Sequence, residues 1–218
     1  MSEMVDYGKQ VEKEHYGFRK YISKRRWASL WHQLDEVISA KAENVLEVGP
    51  GAGVFQALAS LWGIKVDTID IDPELNPTYV ASADSMPFKS GQYDAVCAFQ
   101  MLEHLPYERS LMVFREMSRV AAKYVMISLP DLRPAWSYSF YIPAFGDLKF
   151  IVPRPWFRAK ELEFNGEHYW EVNARGYGVS KVSADLCRVG SIDLLRTYRV
   201  REFPYHRFFL FMVRSTNA

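Results

Sequence analysis

The sequence has few cysteines and no long apolar run. Its two cysteines, Cys97 and Cys187, lie far apart in the chain and form no Cys-x-x-Cys pair, which predicts free thiols in a reducing compartment. No stretch of about 18 apolar residues occurs, and the first residues are charged with no apolar segment after them. The sequence therefore predicts a cytoplasmic protein with no membrane-spanning helix.

An excess of charge of either sign is also lacking. The 218 residues carry 27 basic and 26 acidic side chains, for a formal net charge of +1. This balance disfavours a broad nucleic-acid-binding surface. The five histidines show no metal-type spacing, so the sequence predicts no metal site.

Hydrophobic periodicity indicates alternating strands and helices. Residues 7–40 have helical spacing and form the core of an N-terminal helical cap, residues 1–43. Beyond it, strands are predicted at residues 44–48, 65–71, 78–81, 93–99 and 124–129, with helices at 54–62 and 107–120. A helix at 180–189 and two strands at 192–201 and 207–213 complete the C-terminal part, residues 178–218. We therefore expect one α/β domain with a doubly wound, mostly parallel sheet of about seven strands, helices on both faces and an antiparallel C-terminal hairpin.

Residues 131–177 interrupt this pattern. The segment contains four prolines and twelve aromatic residues, from Trp136 to Tyr177. A connection of this length in a compact domain is usually functional or partly structured. We expect it to be a lid or an acceptor-site insertion that follows a cofactor-binding half, residues 44–130. Packing of the aromatic side chains against the sheet is the alternative.

The strongest motif is a glycine-rich turn after the first predicted strand, Val45-Leu46-Glu47-Val48-Gly49-Pro50-Gly51-Ala52-Gly53. Glycines allow a sharp turn and close approach of a ligand in doubly wound folds. A dinucleotide fingerprint would require a third glycine at the position of Val54. Glu47 would also repel a pyrophosphate, so the loop favours a ligand that carries positive charge.

Asp70 lies at the predicted end of the second strand, about 20 residues after the loop. An acidic residue at this distance is suited to bind two ribose hydroxyls. Taken alone, Asp70 could equally be a turn residue before Pro73. Together with the glycine loop, it indicates an adenosyl ligand.

A series of motifs in order then carries a resemblance: the glycine loop, Asp70, the stretch Ser82 to Phe88, and then Tyr93-Asp94 with Leu102-Glu103-His104-Leu105. This series resembles the Rossmann-like (class I) S-adenosylmethionine-dependent methyltransferases over residues 44–130. The resemblance implies S-adenosylmethionine as cofactor and S-adenosylhomocysteine as product. The cofactor-binding residues that it implies are Glu47, Gly49, Gly51, Gly53, Asp70, Ile71, Ala83, Asp84, Gln100 and Met101. Two departures stand out, a very short link between Asp72 and Thr78 and the sequence Ala121-Ala122-Lys123 where the family usually has a Lys-Pro-Gly-Gly turn.

Methyl transfer from a sulfonium needs a general base only for acceptors that must lose a proton. His104 and His168 are the candidate catalytic residues, since histidine titrates near neutral pH. Both could instead be structural, and His206 is expected to be so. The cluster Lys24-Arg25-Arg26 is read as a solvated helix face or as a contact for an acidic partner.

The acceptor is expected to be a small molecule, a glycan or a lipid-like compound, because aromatic side chains suit all three. Peripheral membrane contact by Tyr138 to Phe145 is a further possibility. A cofactor-binding protein without transferase activity is an alternative function, and a nicotinamide-dependent oxidoreductase is a less favoured one.

Overall fold

The computed structural model describes residues 22–164 and 166–214, and these form a seven-stranded sheet with helices and a separate two-stranded sheet. The predicted helical residues 7–21 lie outside the described part. The strands of the large sheet stand in the order β3-β2-β1-β4-β5-β9-β8. β1 to β5 pair in parallel, whereas β9 pairs antiparallel with both β5 and β8.

The bounds of the elements follow the periodicity of the sequence closely. The strands are β1 (Asn44–Val48), β2 (Lys65–Asp70), β3 (Tyr79–Val80), β4 (Tyr93–Phe99), β5 (Ala121–Pro130), β6 (Ala135–Ile142), β7 (Gly146–Pro153), β8 (Ile192–Arg199) and β9 (His206–Val213). The helices are α1 (Lys24–Ser39), α2 (Val54–Ser60), α3 (Tyr107–Val120) and α4 (Val179–Gly190). The predicted fold class, a mostly parallel sheet with an antiparallel C-terminal hairpin, is confirmed.

Apolar side chains cover both faces of the sheet. One core cluster contains Phe114 of α3, Leu186 of α4 and Phe211 of β9, and the other contains Leu34 of α1, Phe55 of α2 and Phe208 of β9. Burial of this kind stabilises the fold by about 25 cal/mol per Å² of apolar surface. It explains why the parallel strands read as continuous apolar runs.

The two departures from the usual sequence pattern are visible in the backbone. Between β2 and β3 there is only a 3₁₀ turn, Pro73–Leu75, which Asp72 caps by accepting the Glu74 amide at 2.9 Å. At the start of β5, α3 ends at Val120 and the strand begins at the next residue. The short link leaves β2 and β3 paired in parallel, whereas the pairing of β4 with β5 shifts register between Tyr93 and Ala95, opposite Ala122 and Lys123.

The aromatic segment contains a regular hairpin that the sequence analysis did not detect. β6 and β7 pair antiparallel, with Tyr138 opposite Phe150 and Phe140 opposite Leu148. They form their own two-stranded sheet outside the main one. The sequence analysis assigned no strand within residues 131–177, and part of this segment is regular because strand pairing between β6 and β7 satisfies backbone groups that an irregular loop would leave to solvent.

Candidate functional site

The glycine loop forms the floor of a crevice at the carboxyl end of β1. Gly49, Gly51 and Gly53 all have positive φ, at 71°, 53° and 68°, so the turn depends on residues without a Cβ. A Cβ at Gly49 would lie 2.5 Å from Cγ of Met101. The loop thus approaches the segment after β4 closely, as the two strands are direct neighbours.

Glu47 is a buried carboxylate with an unsatisfied oxygen. It lies in β1 between β2 and β4 and is 4% exposed. Among the described residues, its Oε2 atom has no hydrogen-bond partner. Burial raises the pKa of Glu47 well above its ordinary value. A buried polar atom without a partner is costly, and a cationic ligand would remove that cost.

Asp70 ends β2 beside the crevice, as the sequence predicted. Its Oδ1 atom accepts the backbone amide of Asp72 at 2.9 Å, which fixes the carboxylate. Burial raises the pKa of Asp70, while this hydrogen bond opposes the rise. The next residue, Ile71, is 50% exposed and leaves an apolar surface next to the carboxylate. The pair suits a ribose with an adjoining flat ring.

Asp84 is held by protein partners. It accepts the Ser82 hydroxyl at 2.7 Å and pairs with the Arg109 guanidinium at 2.9 Å. Both contacts orient the carboxylate and leave lone pairs for a further donor. Ala83 packs on the core beside it.

Gln100 and Met101 follow β4 directly. Gln100 has a positive φ of 55°, and its side-chain amide donates to the Ser128 hydroxyl at 3.2 Å. Because β4 lies between β1 and β5, these residues complete the row of strand ends around the crevice. Glu47, Asp70 and Gln100 thus lie at the carboxyl ends of β1, β2 and β4, whereas Ala83 and Asp84 follow β3. Of the predicted cofactor residues, Glu47, Gly49 and Gln100 line one common cavity.

A cavity opens from the glycine loop toward α1. Its lining includes Glu47 and Gln100, and also Arg26, Gln33 and His206. Of the cluster Lys24-Arg25-Arg26, the first two are exposed, and Arg26 faces this cavity. Sequence analysis did not place Arg26 in the site, because helical periodicity alone does not reveal which element α1 packs against.

His206 lines the same cavity and is 1% exposed. Its Nδ1 atom contacts the Ser29 hydroxyl at 2.7 Å. Burial, together with the charge of Arg26, lowers the pKa of His206 to about 3. These contacts agree with the structural role expected for His206. The residue also borders the crevice.

His104 and His168 come together although 64 positions separate them in the chain. Their ring centroids are 4.9 Å apart and the rings are nearly perpendicular. The Tyr169 amide donates to the Glu103 carbonyl at 2.9 Å, and the Val172 amide donates to the Pro130 carbonyl at the same distance. These bonds fix the residues around His168 beside the segment that follows β4.

Buried carboxylates surround this histidine pair. Glu103 is fully buried, and burial raises its pKa to about 8. Glu171, 3% exposed, accepts from His168 Nδ1 at 2.7 Å and from the Tyr205 hydroxyl at 2.9 Å. Burial alone would lower the pKa of His168, but the bond to Glu171 and the charge of Glu103 raise it overall. Sequence analysis missed Glu171 and Tyr205, because no local pattern distinguishes them from packing residues.

The crevice fits the cofactor that the sequence implied. Oε2 of Glu47 requires a cation or a donor, and Asp70 offers acceptors for hydroxyls. A pyrophosphate would bring negative charge against Glu47 and would leave Oε2 without a partner. These two acidic side chains therefore match an adenosyl compound that carries a sulfonium and an ammonium group.

Comparison with known proteins agrees with this geometry. A family described as "methyltransferase domain" matches residues 14–178. That match spans most of the chain, so the protein belongs to this family, and it has the class I fold of the S-adenosylmethionine-dependent methyltransferases. The enzyme class and the cofactor that the sequence predicted are confirmed at this level. No curated protein sequence matches the chain.

Several solved structures share the fold. Magnesium protoporphyrin IX methyltransferase from Synechocystis, with bound S-adenosylhomocysteine, has a TM-score of 0.60 at 12% identity, covering 87% of this chain and 84% of that one. The 1,6-didemethyltoxoflavin N1-methyltransferase from Burkholderia thailandensis gives 0.58 at 11%, covering 88% and 78%. An S-adenosylmethionine-dependent methyltransferase from Clostridium acetobutylicum gives 0.58 at 9%, covering 92% and 96%. At these identities the likeness establishes the fold.

No helix within residues 22–164 and 166–214 is both long and apolar enough to cross a membrane.

Proposed function

We propose that this methyltransferase holds S-adenosylmethionine across the carboxyl ends of β1, β2 and β4, with Glu47 against the ammonium group. The unsatisfied, buried Oε2 atom of Glu47 carries the proposal. A buried carboxylate without a partner persists at a functional site more readily than in a packing role, because its cost is offset only when a ligand binds.

Other residues would bind the remaining parts of S-adenosylmethionine, the methyl donor. Asp70 would accept from the two ribose hydroxyls, and Ile71 would pack against the adenine ring. Ala83 and Asp84 would meet the edge of the adenine, and Gly51 and Gly53 would let the chain pass close to the methionine half. Gln100 and Met101 would lie below the transferred methyl group.

Arg26 would bind the carboxylate of the methionine half. It lines the same cavity as Glu47 and Gly49, and a guanidinium matches a carboxylate in a two-pronged geometry. Glu47 and Arg26 would then recognise the opposite charges of one amino-acid group. The donor supplies an activated methyl group, so the protein's task is to align the acceptor and to exclude water.

Calorimetric titration tests this placement. Wild-type protein is expected to bind S-adenosylhomocysteine and S-adenosylmethionine, and to bind NAD at least 100-fold more weakly. Glu47→Gln keeps the shape of the side chain and removes its charge, so it should weaken binding of both adenosyl compounds by about tenfold or more, the loss of a charged hydrogen bond. Equal affinity for NAD, or unchanged affinity in a folded Glu47→Gln protein, would refute the assignment.

For the acceptor, we propose a lipid-like molecule presented at a membrane surface. One face of the β6–β7 hairpin carries seven apolar side chains, each between 37% and 51% exposed. They are Trp136, Tyr138, Phe140, Ile142, Leu148, Phe150 and Val152. Exposed contiguous apolar surface of this kind marks an interaction site.

The surroundings of this face favour a bilayer over a soluble partner. On the opposite face, Lys149 pairs with Glu202 at 3.0 Å, which links that face of the hairpin to the loop between β8 and β9. Residues 135–160 contain four basic side chains and one acidic one. Arg154 lies 5.5 Å above the Trp136 ring. Aromatic and basic side chains together suit the interface of an anionic membrane.

Vesicle sedimentation tests the acceptor proposal. Binding is expected to vesicles of phosphatidylcholine with phosphatidylglycerol, and to weaken severalfold without the anionic lipid. Phe140→Ser should reduce binding, whereas Trp62→Ser, which removes an aromatic ring of similar exposure elsewhere, should not. If both variants bind like the wild type, or if no vesicle binds, the hairpin does not serve as a membrane contact.

A binding protein without transferase activity is the remaining alternative, since fold alone does not fix turnover. Incubation with S-adenosylmethionine labelled in its methyl group and with a total lipid extract separates the two. Label that appears in an organic-soluble product supports transfer. If the protein binds S-adenosylmethionine tightly but all label stays on the cofactor, the result favours a binding protein without transferase activity.

A further inference from the structure

Three potential metal ligands converge at the end of β4. Glu103 and His104 belong to the 3₁₀ turn Leu102–His104, and His168 comes from the segment that is fixed against it. One ligand atom from each of these residues lies within 4.8 Å of the other two. Tetrahedral bonds of about 2.0–2.2 Å place the ligand atoms of an ion about 3.3–3.6 Å apart, so side-chain rotations would have to bring these three atoms closer together.

Both imidazoles are oriented in the manner of metal-bound histidines. Nδ1 of His104 donates to the backbone carbonyl of Glu167 at 2.9 Å. Nδ1 of His168 contacts the Glu171 carboxylate at 2.7 Å. These bonds engage Nδ1 of each ring, so Nε2 is the nitrogen that would bind a metal ion. A carboxylate or carbonyl behind each histidine is the usual outer support of a metal ligand.

Glu103 supplies an independent indication of a ligand. Its side chain is fully buried, and among the described residues neither carboxylate oxygen has a hydrogen-bond partner. Two unsatisfied oxygens on one buried side chain are rare in folded proteins. A cation between Glu103 and the two histidines would satisfy them.

We propose that Glu103, His104 and His168 bind a divalent transition-metal ion, with Zn²⁺ as the best match. Two imidazoles and one carboxylate form a donor set that zinc accepts with at least one position left open. Neither the spacing of the histidines nor any short motif predicts this site, because the third ligand, His168, comes from a distant segment of the chain.

Glu171 acts as a positioning residue for this ion. It orients His168 and is itself held by the Tyr205 hydroxyl at 2.9 Å. Loss of such an outer contact typically weakens metal affinity by about 10–100-fold.

The role of the ion rests on the proposed function, whereas its binding does not. Glu103 and His104 follow Met101 closely, so the ion would border the place where the acceptor meets the methyl group. Its open position would hold an oxygen atom of the acceptor and lower the pKa of a hydroxyl there. The acceptor atom that we infer is accordingly oxygen.

Metal titration of the full chain tests the site without any need for activity. Protein dialysed against a chelator is titrated with Zn²⁺ by calorimetry and with Co²⁺ by visible absorption. One ion per chain is expected, with cobalt bands of a four- or five-coordinate site. Glu103→Gln, His104→Asn and His168→Asn should each weaken binding by at least tenfold, and Glu171→Gln should do so by about tenfold.

His32→Gln is the matched control. His32 lies on α1, contacts Tyr198 and Glu202, and is neither a lining residue of the cofactor cavity nor one of the three proposed metal ligands. Its replacement should leave the Zn²⁺ affinity unchanged. Failure to bind an ion, or equal affinity in wild-type and ligand variants, would overturn the proposal. If Glu103→Gln does not fold, the two histidine variants decide.

Titration with S-adenosylhomocysteine separates this result from the proposed function. Binding of Zn²⁺ without binding of the cofactor product would remove the proposed function and leave the metal site. Binding of the product with no metal would do the reverse. Unchanged affinity for S-adenosylhomocysteine in the ligand variants also shows that they retain their fold.

Discussion

Gly49 and Met101 are so close that a Cβ atom on the glycine would lie 2.5 Å from Cγ of the methionine. One residue belongs to the loop after β1 and the other to the segment after β4. Their contact sets the width of the crevice between the two strand ends. Glycine is therefore required at position 49 for two reasons, the positive φ of 71° and the close approach of Met101.

Gly49→Ala is expected to weaken S-adenosylhomocysteine binding by about tenfold, or 1.4 kcal/mol, because Met101 must move. The strained backbone should also lower the free energy of unfolding by about 1–2 kcal/mol. Gly63→Ala is the control, since Gly63 has a similar φ of 76° with no atom within 4 Å of the added Cβ. It should show the stability loss and normal affinity. Equal affinities in the two variants would show that Met101 adapts without consequence.

Asp70→Asn should weaken binding of S-adenosylhomocysteine by about 1–3 kcal/mol, because hydrogen bonds from the ribose hydroxyls to a charged acceptor are lost. Asp193→Asn is a matched change at an exposed position on β8, where the carboxylate pairs with Arg214. That variant should bind normally. Calorimetry decides, and a folded Asp70→Asn protein with wild-type affinity would remove Asp70 from the site.

Glu47→Gln should stabilise the protein without cofactor while it weakens cofactor binding. Burial raises the pKa of Glu47 in the folded state, so the folded protein holds a proton that the unfolded chain releases above about pH 4.3. The stability contributed by Glu47 is thus present below that pH and declines as the pH rises. The advantage of Glu47→Gln in urea unfolding should grow from pH 5 to pH 8. A constant difference would mean that Glu47 does not change its protonation on unfolding.

His206 should produce the opposite dependence on pH. Its pKa is lowered to about 3 in the folded state, whereas the unfolded value is about 6.5. Its contribution is complete above pH 6.5 and falls as the pH drops toward 3, with a slope of up to about 1.4 kcal/mol per pH unit. Urea unfolding of His206→Gln should show a shallower loss between pH 6.5 and pH 4. Parallel curves for the two proteins would contradict the assignment.

Local patterns predicted much of the fold. β1, β4 and α3 begin and end where the apolar periodicity places them, at Asn44–Val48, Tyr93–Phe99 and Tyr107–Val120. The β6–β7 hairpin was missed even though Trp136, Tyr138, Phe140 and Ile142 alternate along the chain. The four prolines and twelve aromatic residues of residues 131–177 are typical of an irregular segment and obscure this period of two. The sequence signal was present, but it competed with the signs of an irregular loop.

By itself, the sequence determined the order of strands and helices, the glycine turn and the acidic residues Glu47 and Asp70 that flank it. These features depend on neighbours within a few positions, where spacing dictates which side chains share a face. Only the tertiary structure brought His168 to His104, placed Arg26 in the cavity and left one face of the hairpin uncovered. Each of these depends on packing between segments that are distant in the chain or on which surface lacks a partner. Periodicity along the chain carries no information about such contacts, because many arrangements of the same elements would satisfy it equally.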